Sequence, residues 1–97
     1  MTNLLDIIRD VLNREDVEGF LALGAPTDEY HTEAELIRQA IEDRQAKLQK
    51  EELSELLRRI WQEMFGPFSE EEMNRRRPAL ERVAGQLARA LPDDPTQ

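Results

Sequence analysis

One stretch of the sequence constrains the fold more than any other. Between residues 53 and 65, apolar side chains recur at intervals of three and four for more than three helical turns, which places them on one face of an α-helix. Because a single helix cannot bury such a face alone, the pattern predicts a central helix against which other helices pack. The seven positions are Leu53, Leu56, Leu57, Ile60, Trp61, Met64 and Phe65.

The N-terminal segment has the same helical spacing. Apolar residues recur at intervals of three and four over residues 4–12, and Thr2 or Asn3 can cap a helix that begins there. We therefore predict a first helix over about residues 3–13.

A connection without clear periodicity follows the first helix. Asp16 offers a cap for one or two helical turns, and Gly24 supplies a stop. The polar residues 26–31 end at Thr32, which forms the T-x-x-E pattern of a capping box with Glu35. This pattern predicts an ordered loop that leads into a second helix.

The second helix is predicted over about residues 33–47. Neither Gly nor Pro separates this segment from the central helix, yet the apolar stripe slips by about one residue between the two. A slip of this kind indicates that the helix is interrupted, so we predict a tight turn or break around residues 47–50.

A fourth helix is predicted to begin near residue 70. A Gly-Pro pair ends the central helix, and Ser69 with Glu72 forms a second capping box. Pro78 lies inside the new segment, where proline disrupts a helix, so the sequence predicts either a kinked helix or two collinear helices. One phase nevertheless continues across the proline, at positions 73, 77, 80, 84, 87 and 91.

The predicted fold class is therefore all-α. We expect a compact bundle of about four helices, with an ordered loop before the second main helix and a Pro-kinked or split C-terminal helix. A chain of 97 residues favours one hydrophobic core, so we predict a single helical domain over residues 1–91 and a flexible tail over residues 92–97.

Composition excludes several classes of function. The chain has 21 acidic and 13 basic residues, and its net charge of −8 repels the phosphates of nucleic acids. It has no cysteine, which rules out disulfides and thiolate metal sites and is typical of a cytoplasmic protein. The N-terminus has neither the basic region of a signal peptide nor an uninterrupted apolar run, so no membrane association is expected.

No catalytic motif is visible. The chain has one histidine and two serines, and it lacks G-x-S-x-G, phosphate-loop and dinucleotide-binding patterns. Nucleophilic catalysis needs a nucleophile, a base and an orienting group. We therefore predict that the protein is not an enzyme and needs no cofactor.

The best concentration of possible metal ligands lies between residues 28 and 35. The candidates are weak because their spacing matches neither H-E-x-x-H nor the calcium loop. The sequence consequently predicts no metal site, although a metal- or small-ligand-binding protein using the 28–35 loop remains the alternative function. The candidates are Asp28, Glu29, His31 and Glu35.

Aromatic and basic residues are more simply explained by structure than by binding. Tyr30 is expected to pin the loop to the core with its hydroxyl at the edge, and Trp61 is expected in the core. The basic run over residues 75–77 is expected to be a solvated helix face, partly neutralised by Glu71 and Glu72 four residues earlier.

Residues 23–30 read L-G-A-P-T-D-E-Y. This stretch resembles a family of small bacterial proteins of unknown function, number 1871 among such families, whose members have a similar G-A-P-x-D-E-Y between two helices. The likeness covers residues 4–66, and the chain departs from it at His31 and Thr32, where Asp followed by Pro or a small residue is common. The resemblance implies an all-α fold and no assigned activity. The signature residues are Gly24, Ala25, Pro26, Asp28, Glu29 and Tyr30.

The function that these observations favour is a non-enzymatic protein-interaction module. A specific form would be an immunity or antitoxin-type inhibitor, because complementary charge helps a small acidic protein to find a basic partner. Acidic residues at positions that the apolar stripes leave outside are the candidate contacts, foremost Glu51, Glu52 and Glu55.

Overall fold

Four α-helices form the secondary structure of the part of the chain that the structure describes. The computed structural model describes residues 3–26, 28–44 and 48–90, and over these residues it contains no strand. The predicted all-α fold is confirmed, whereas the predicted tail lies outside the described residues. The helices are α1 (Leu4–Glu15), α2 (His31–Asp43), α3 (Lys50–Met64) and α4 (Glu70–Ala90).

The helices pack in a closed ring. Each contacts its neighbour in chain order, and α4 returns to contact α1. Their apolar faces meet in one cluster. None of the helices within the described ranges is long and apolar enough to cross a bilayer. The buried apolar residues are Ile8, Val11, Leu12, Tyr30, Ala34, Ile37, Leu48, Leu53, Leu57, Ile60, Trp61, Met73, Leu80, Val83, Ala84 and Leu87.

Helix α3 supplies the centre of this core, as its periodicity predicts. Its buried apolar residues include Trp61, which is fully enclosed. The prediction that Met64 belongs to the core was wrong, since its side chain is 41% exposed. Phe65 occupies the space beside the core instead, with its ring centroid 5.2 Å from that of Trp61.

Helix α2 begins earlier than predicted. Its first residue is His31, its N-cap is Tyr30, and no side chain makes a capping hydrogen bond. The predicted capping box of Thr32 with Glu35 was therefore wrong. Thr32 is an exposed helical residue, and the carboxylate of Glu35 accepts hydrogen bonds from Arg38. The burial of Tyr30 places the helix start before the local T-x-x-E pattern.

The predicted break between the second and third helices is confirmed, although it begins earlier. Helix α2 ends at Asp43 and α3 begins at Lys50. Gln49 and Glu52 form a capping box at the start of α3, in which the Gln49 amide donates to the Glu52 carboxylate at 3.2 Å. Leu48, just before this cap, is buried in the core.

Helix α4 is continuous from residue 70 to residue 90, which excludes the prediction of two separate helices. Pro78 and Asn74 are both exposed. Because proline has no backbone N–H, the carbonyl of Asn74, four residues earlier, lacks its usual helical hydrogen bond. Water can hydrate this carbonyl, because helices lose bonds most cheaply on their solvent side. Arg77 shares the helical phase of the core positions but is exposed, as predicted for the basic run.

Candidate functional site: the connection between α1 and α2

The connection between α1 and α2 spans residues 16–30 and is hereafter called the 16–30 connection. It leaves α1 through Asp16, whose backbone is left-handed with φ 45° and ψ 57°. Gly19 and Gly24 also have positive φ values, 75° and 99°. A side chain at either glycine would be strained, because L residues rarely adopt this conformation. These three positions turn the chain back toward the bundle.

The carboxylate of Asp16 organises the connection. It accepts hydrogen bonds from the amides of Leu21 at 3.1 Å and Ala22 at 3.0 Å, and from the hydroxyl of Tyr30 at 2.7 Å. Burial opposes ionisation, but these donors together lower the pKa of Asp16 below its ordinary value. One ionised group therefore joins the middle and the end of the connection.

Tyr30 fixes the end of the connection in the core. Its side chain is buried, and its hydroxyl donates to Asp16 while accepting from the amide of Glu18 at 3.0 Å. Burial, with the bond to Asp16, raises the pKa of the Tyr30 phenol. Its ring stacks near those of Phe20 and Trp61, with centroids 5.9 and 6.2 Å away. Tyr30 thus has the pinning role expected from its amphipathic side chain.

Glu18 links the connection to the other half of the bundle. Its side chain is only 8% exposed. Its carboxylate accepts from the indole N–H of Trp61 at 2.8 Å and from two nitrogens of Arg76, Nε at 2.7 Å and Nη2 at 3.0 Å. Paired N–H donors of this kind make a strong and directional ion pair.

Arg76 was expected in a solvated basic face, and this expectation was wrong. Its side chain is 23% exposed, and the bond to Glu18 raises the pKa of its guanidinium. Its Nη1 donates to the carbonyl of Glu72 at 2.9 Å, and its guanidinium carbon lies 3.9 Å from the ring centroid of Phe68. The residue thus connects α4 to the 16–30 connection.

These side chains form one set, which we call the buried polar network. Each carboxylate in it accepts from several donors, and the set contains no nucleophile next to a free base, which acyl or phosphoryl chemistry would need. The arrangement positions the 16–30 connection. Sequence reasoning missed Glu18 and Arg76, because 58 residues separate them along the chain. The members are Asp16, Glu18, Tyr30, Trp61 and Arg76.

Residues 22–26 are presented to solvent by this network, and we call them the exposed turn. They read A-L-G-A-P and carry no polar side chain. Four of the five are exposed and Ala25 is half-buried. The side chain of Leu23 is 86% exposed, twice the value for Met64, the other large apolar residue exposed among the described residues. The exposed turn therefore displays an apolar surface.

The four weak metal-ligand candidates do not converge. Asp28, Glu29 and His31 are exposed, and the His31 Nε2 lies 3.9 Å from a carboxylate oxygen of Glu35. A hydrogen bond from Arg38 to Glu35 lowers the pKa of that carboxyl, so its nearest charged partner is an arginine. Within residues 3–26, 28–44 and 48–90, no group of three or more His, Cys, Asp or Glu residues is arranged to hold a metal ion.

Glu33 is an acidic residue whose environment the sequence did not reveal. It is only 3% exposed, in the first turn of α2. Burial raises the pKa of its carboxyl, a hydrogen bond from its own amide opposes that shift, and the negative charge of Glu29 adds to it. Acids in a first helical turn are commonly exposed partners of the helix dipole, so the pattern alone does not indicate burial.

The three candidate contacts on α3 are exposed, but they are not equivalent. The carboxylate of Glu52 caps α3 and lies 3.5 Å from Arg44. Glu51 and Glu55 have no ion-pair partner among the described residues. The structure therefore leaves two of the three carboxylates available to a partner.

Comparison with known proteins adds no relative. No family model matches the chain, and neither a curated protein nor a solved structure does.

Proposed function

We propose that this chain is a non-enzymatic protein-interaction module that binds a basic protein. The observation that carries the proposal is the distribution of charge. Residues 15–37 contain seven acidic side chains and neither lysine nor arginine. This segment comprises the last residue of α1, the 16–30 connection and the first two turns of α2. Its acidic residues are Glu15, Asp16, Glu18, Asp28, Glu29, Glu33 and Glu35.

Only part of this charge is available at the surface. Glu15, Glu18 and Glu35 pair with arginines of the same chain. Asp28 and Glu29 are exposed and have no described cation within ion-pair distance. These two carboxylates come two and three residues after the exposed turn and give it a negative border. A basic surface would be attracted to this border and oriented by it.

The narrower form of the proposal is an immunity or antitoxin-type inhibitor in the cytoplasm. Such a protein acts by occupying its target, so it needs a stable, complementary surface rather than catalytic groups. The bundle with its hydrogen-bonded 16–30 connection supplies such a surface. Membership of family 1871 is part of the same proposal and rests on the resemblance of residues 23–30.

The test begins with the full chain, tagged and purified from its native host, and with identification of proteins that co-purify in stoichiometric amounts. The association rate of the reconstituted complex is then measured at low and at physiological salt. We expect the rate to fall about tenfold or more, because salt at 0.15 M shortens the Debye length to about 8 Å.

Two charge reversals locate the contact. Asp28→Lys with Glu29→Lys alters the border of the exposed turn, and Glu51→Lys with Glu55→Lys is the matched change on α3. Glu52 is left intact because it caps α3. We expect the first pair to slow association more than the second. An association rate that responds neither to salt nor to either pair would contradict the proposal.

A further inference from the structure

The exposed turn is apolar and uncharged, as the centres of protein interfaces commonly are. Such centres are apolar and depleted in charge, whereas their rims are polar. Residues 22–26 contain only aliphatic, glycine and proline side chains, and Asp28 and Glu29 follow at the edge. Leu23 projects from this surface with 86% of its side chain exposed.

The backbone amides of this turn already have acceptors within the chain. The amide of Leu23 donates to the carbonyls of Gly19 and Phe20, at 3.2 and 3.1 Å, and the amide of Ala25 also donates to Phe20, at 3.0 Å. The amides of residues 21, 22 and 24 have acceptors too. The turn therefore presents apolar side chains to a partner, and its amides are already used in the fold.

The turn is also held rigidly in place. The carboxylate of Asp16 accepts from the amide of Ala22 in the turn and from the amide of Leu21 just before it. It also accepts from the hydroxyl of Tyr30, which is buried. The amide of Glu18 donates to the same hydroxyl, and the carboxylate of Glu18 accepts from Trp61 of α3 and Arg76 of α4. A surface ordered before binding loses little conformational entropy in a complex, which increases affinity.

Charge decides which occupant fits this surface. An anionic lipid surface would repel the carboxylates of Asp28 and Glu29. A second copy, meeting the turn face to face, would bring the same two carboxylates into opposition. A basic protein with an apolar recess satisfies both the turn and its border.

We propose that the exposed turn is the contact surface for the basic partner and that Leu23 is its apolar anchor, inserted into a recess of that partner. This inference rests on the proposed function and names the site through which it acts. A few side chains buried in well-packed pockets of the partner account for most of the binding energy of an interface.

Site-specific photo-cross-linking in the native host identifies what touches the turn. Benzoylphenylalanine is placed at Ala22, beside the anchor, or at Glu63, which is exposed on α3. We expect the full chain to form one cross-link from position 22, to a protein rich in Lys and Arg, and none from position 63. A cross-link only from position 63, or none from either position, would overturn the proposed site.

The affinity of the identified partner is then measured with two truncations. Leu23→Ala should weaken binding at least tenfold, whereas Met64→Ala, the other exposed apolar side chain, should change it less than twofold. Both side chains are exposed, so the melting temperatures of the variants should stay close to that of the original chain. This check separates loss of binding from loss of fold.

The outcomes separate the site from the function. If Asp28→Lys with Glu29→Lys slows association but Leu23→Ala leaves affinity unchanged, the proposed binding of a basic protein is supported and the role of Leu23 as its anchor is rejected. If Leu23→Ala weakens binding to a protein that is not basic, the anchor stands and the electrostatic function is rejected. A cross-link from position 22 to a second copy would overturn the basic occupant in favour of self-association.

Discussion

The connection between α3 and α4 differs from the 16–30 connection in how far away along the chain its hydrogen-bond partners lie. The hydrogen bonds of residues 65–69 are made with partners at most six positions away, such as the bond from the Phe68 amide to the side chain of Gln62 at 2.7 Å. The rings of Phe65 and Phe68 reach farther, to Phe20 and Arg76. A Cβ on Gly66 would lie 2.5 Å from the carbonyl oxygen of Gln62, so only glycine fits there. The hydrogen bonding of the short connection is thus local.

The 16–30 connection is held by residues from α3 and α4 and by its own far end. The Asp16 carboxylate binds a hydroxyl 14 positions away, and Glu18 binds donors 43 and 58 positions away. Removing a local cap exposes one backbone group at a helix end. Removing a member of the buried polar network leaves a charged or polar partner enclosed, which costs more. This difference sets the expected order of the following effects.

The largest effect is expected where the network meets the core. Trp61→Ala should destabilise the protein by about 3–5 kcal/mol, since the ring is fully buried and its indole N–H donates to Glu18. Urea denaturation measures the change, with Met64→Ala as the exposed control on the same helix. A Trp61→Ala variant that unfolds at the same urea concentration as the original chain would place the ring outside the core.

Next in size is the ion pair between Glu18 and Arg76. Glu18→Gln should cost about 2–3 kcal/mol, below the range for fully buried pairs because Arg76 keeps some contact with solvent. Glu63→Gln is the exposed control. A double-mutant cycle with Arg76→Gln isolates the interaction energy. If the two single changes are simply additive, the pair does not couple the 16–30 connection to α4.

The elements that sequence could predict are those whose information is local. The stripe that contains Trp61 predicts α3 through its own spacing, and the Ser69–Glu72 box predicts the start of α4. The T-x-x-E pattern at Thr32 is equally local, yet it failed, because the burial of Tyr30 determines where α2 begins. A local motif is reliable only where no long-range contact competes with it.

The candidate site was only half predictable for the same reason. The resemblance at residues 23–30 drew attention to part of this connection. Asp16 was predicted to cap a following turn, whereas it ends α1 and its carboxylate accepts from the amides of Leu21 and Ala22. The ion pair of Glu18 with Arg76 had no local pattern, and the exposure of Leu23 depends on bonds made around it. Leucine is more often buried than exposed, so residue type alone indicates the opposite.

A smaller effect is expected at the hydroxyl of Tyr30. Tyr30→Phe should cost about 1–2 kcal/mol at pH 7, because the Asp16 carboxylate and the Glu18 amide both lose a partner. The pKa of Asp16 is lowered in the fold, so its bonds stabilise the protein above the ordinary value of 3.8 and stop doing so as pH falls through the folded pKa.

Urea denaturation of the original chain and of Tyr30→Phe at pH 7, 5 and 3 measures this coupling. The difference between them should be similar at pH 7 and 5 and smaller at pH 3, because pH 3 lies below the ordinary value of 3.8, where this stabilisation starts to be lost. A difference that is constant down to pH 3 would show that the hydroxyl contributes independently of the Asp16 charge.

A local cap should matter less than these network residues. Ser69→Ala should cost about 1 kcal/mol, because the hydroxyl accepts from the amide of Glu72 at 3.1 Å and that amide would then be left to water. Thermal unfolding measures the change. A loss as large as that of Glu18→Gln would contradict the view that local caps contribute less than long-range pairs.

The smallest effect is expected at Thr32, where the same sequence motif is present but does not act as a cap. The side chain of Thr32 is exposed on α2, and the helix begins before it at His31. Thr32→Ala should therefore change stability by no more than about 0.5 kcal/mol, since alanine favours a helix slightly more than threonine does. Ser69→Ala is the matched change at a motif that does cap. If Thr32→Ala costs as much as Ser69→Ala under the same conditions, Thr32 caps α2 in solution, and the start of that helix is determined by its local sequence after all.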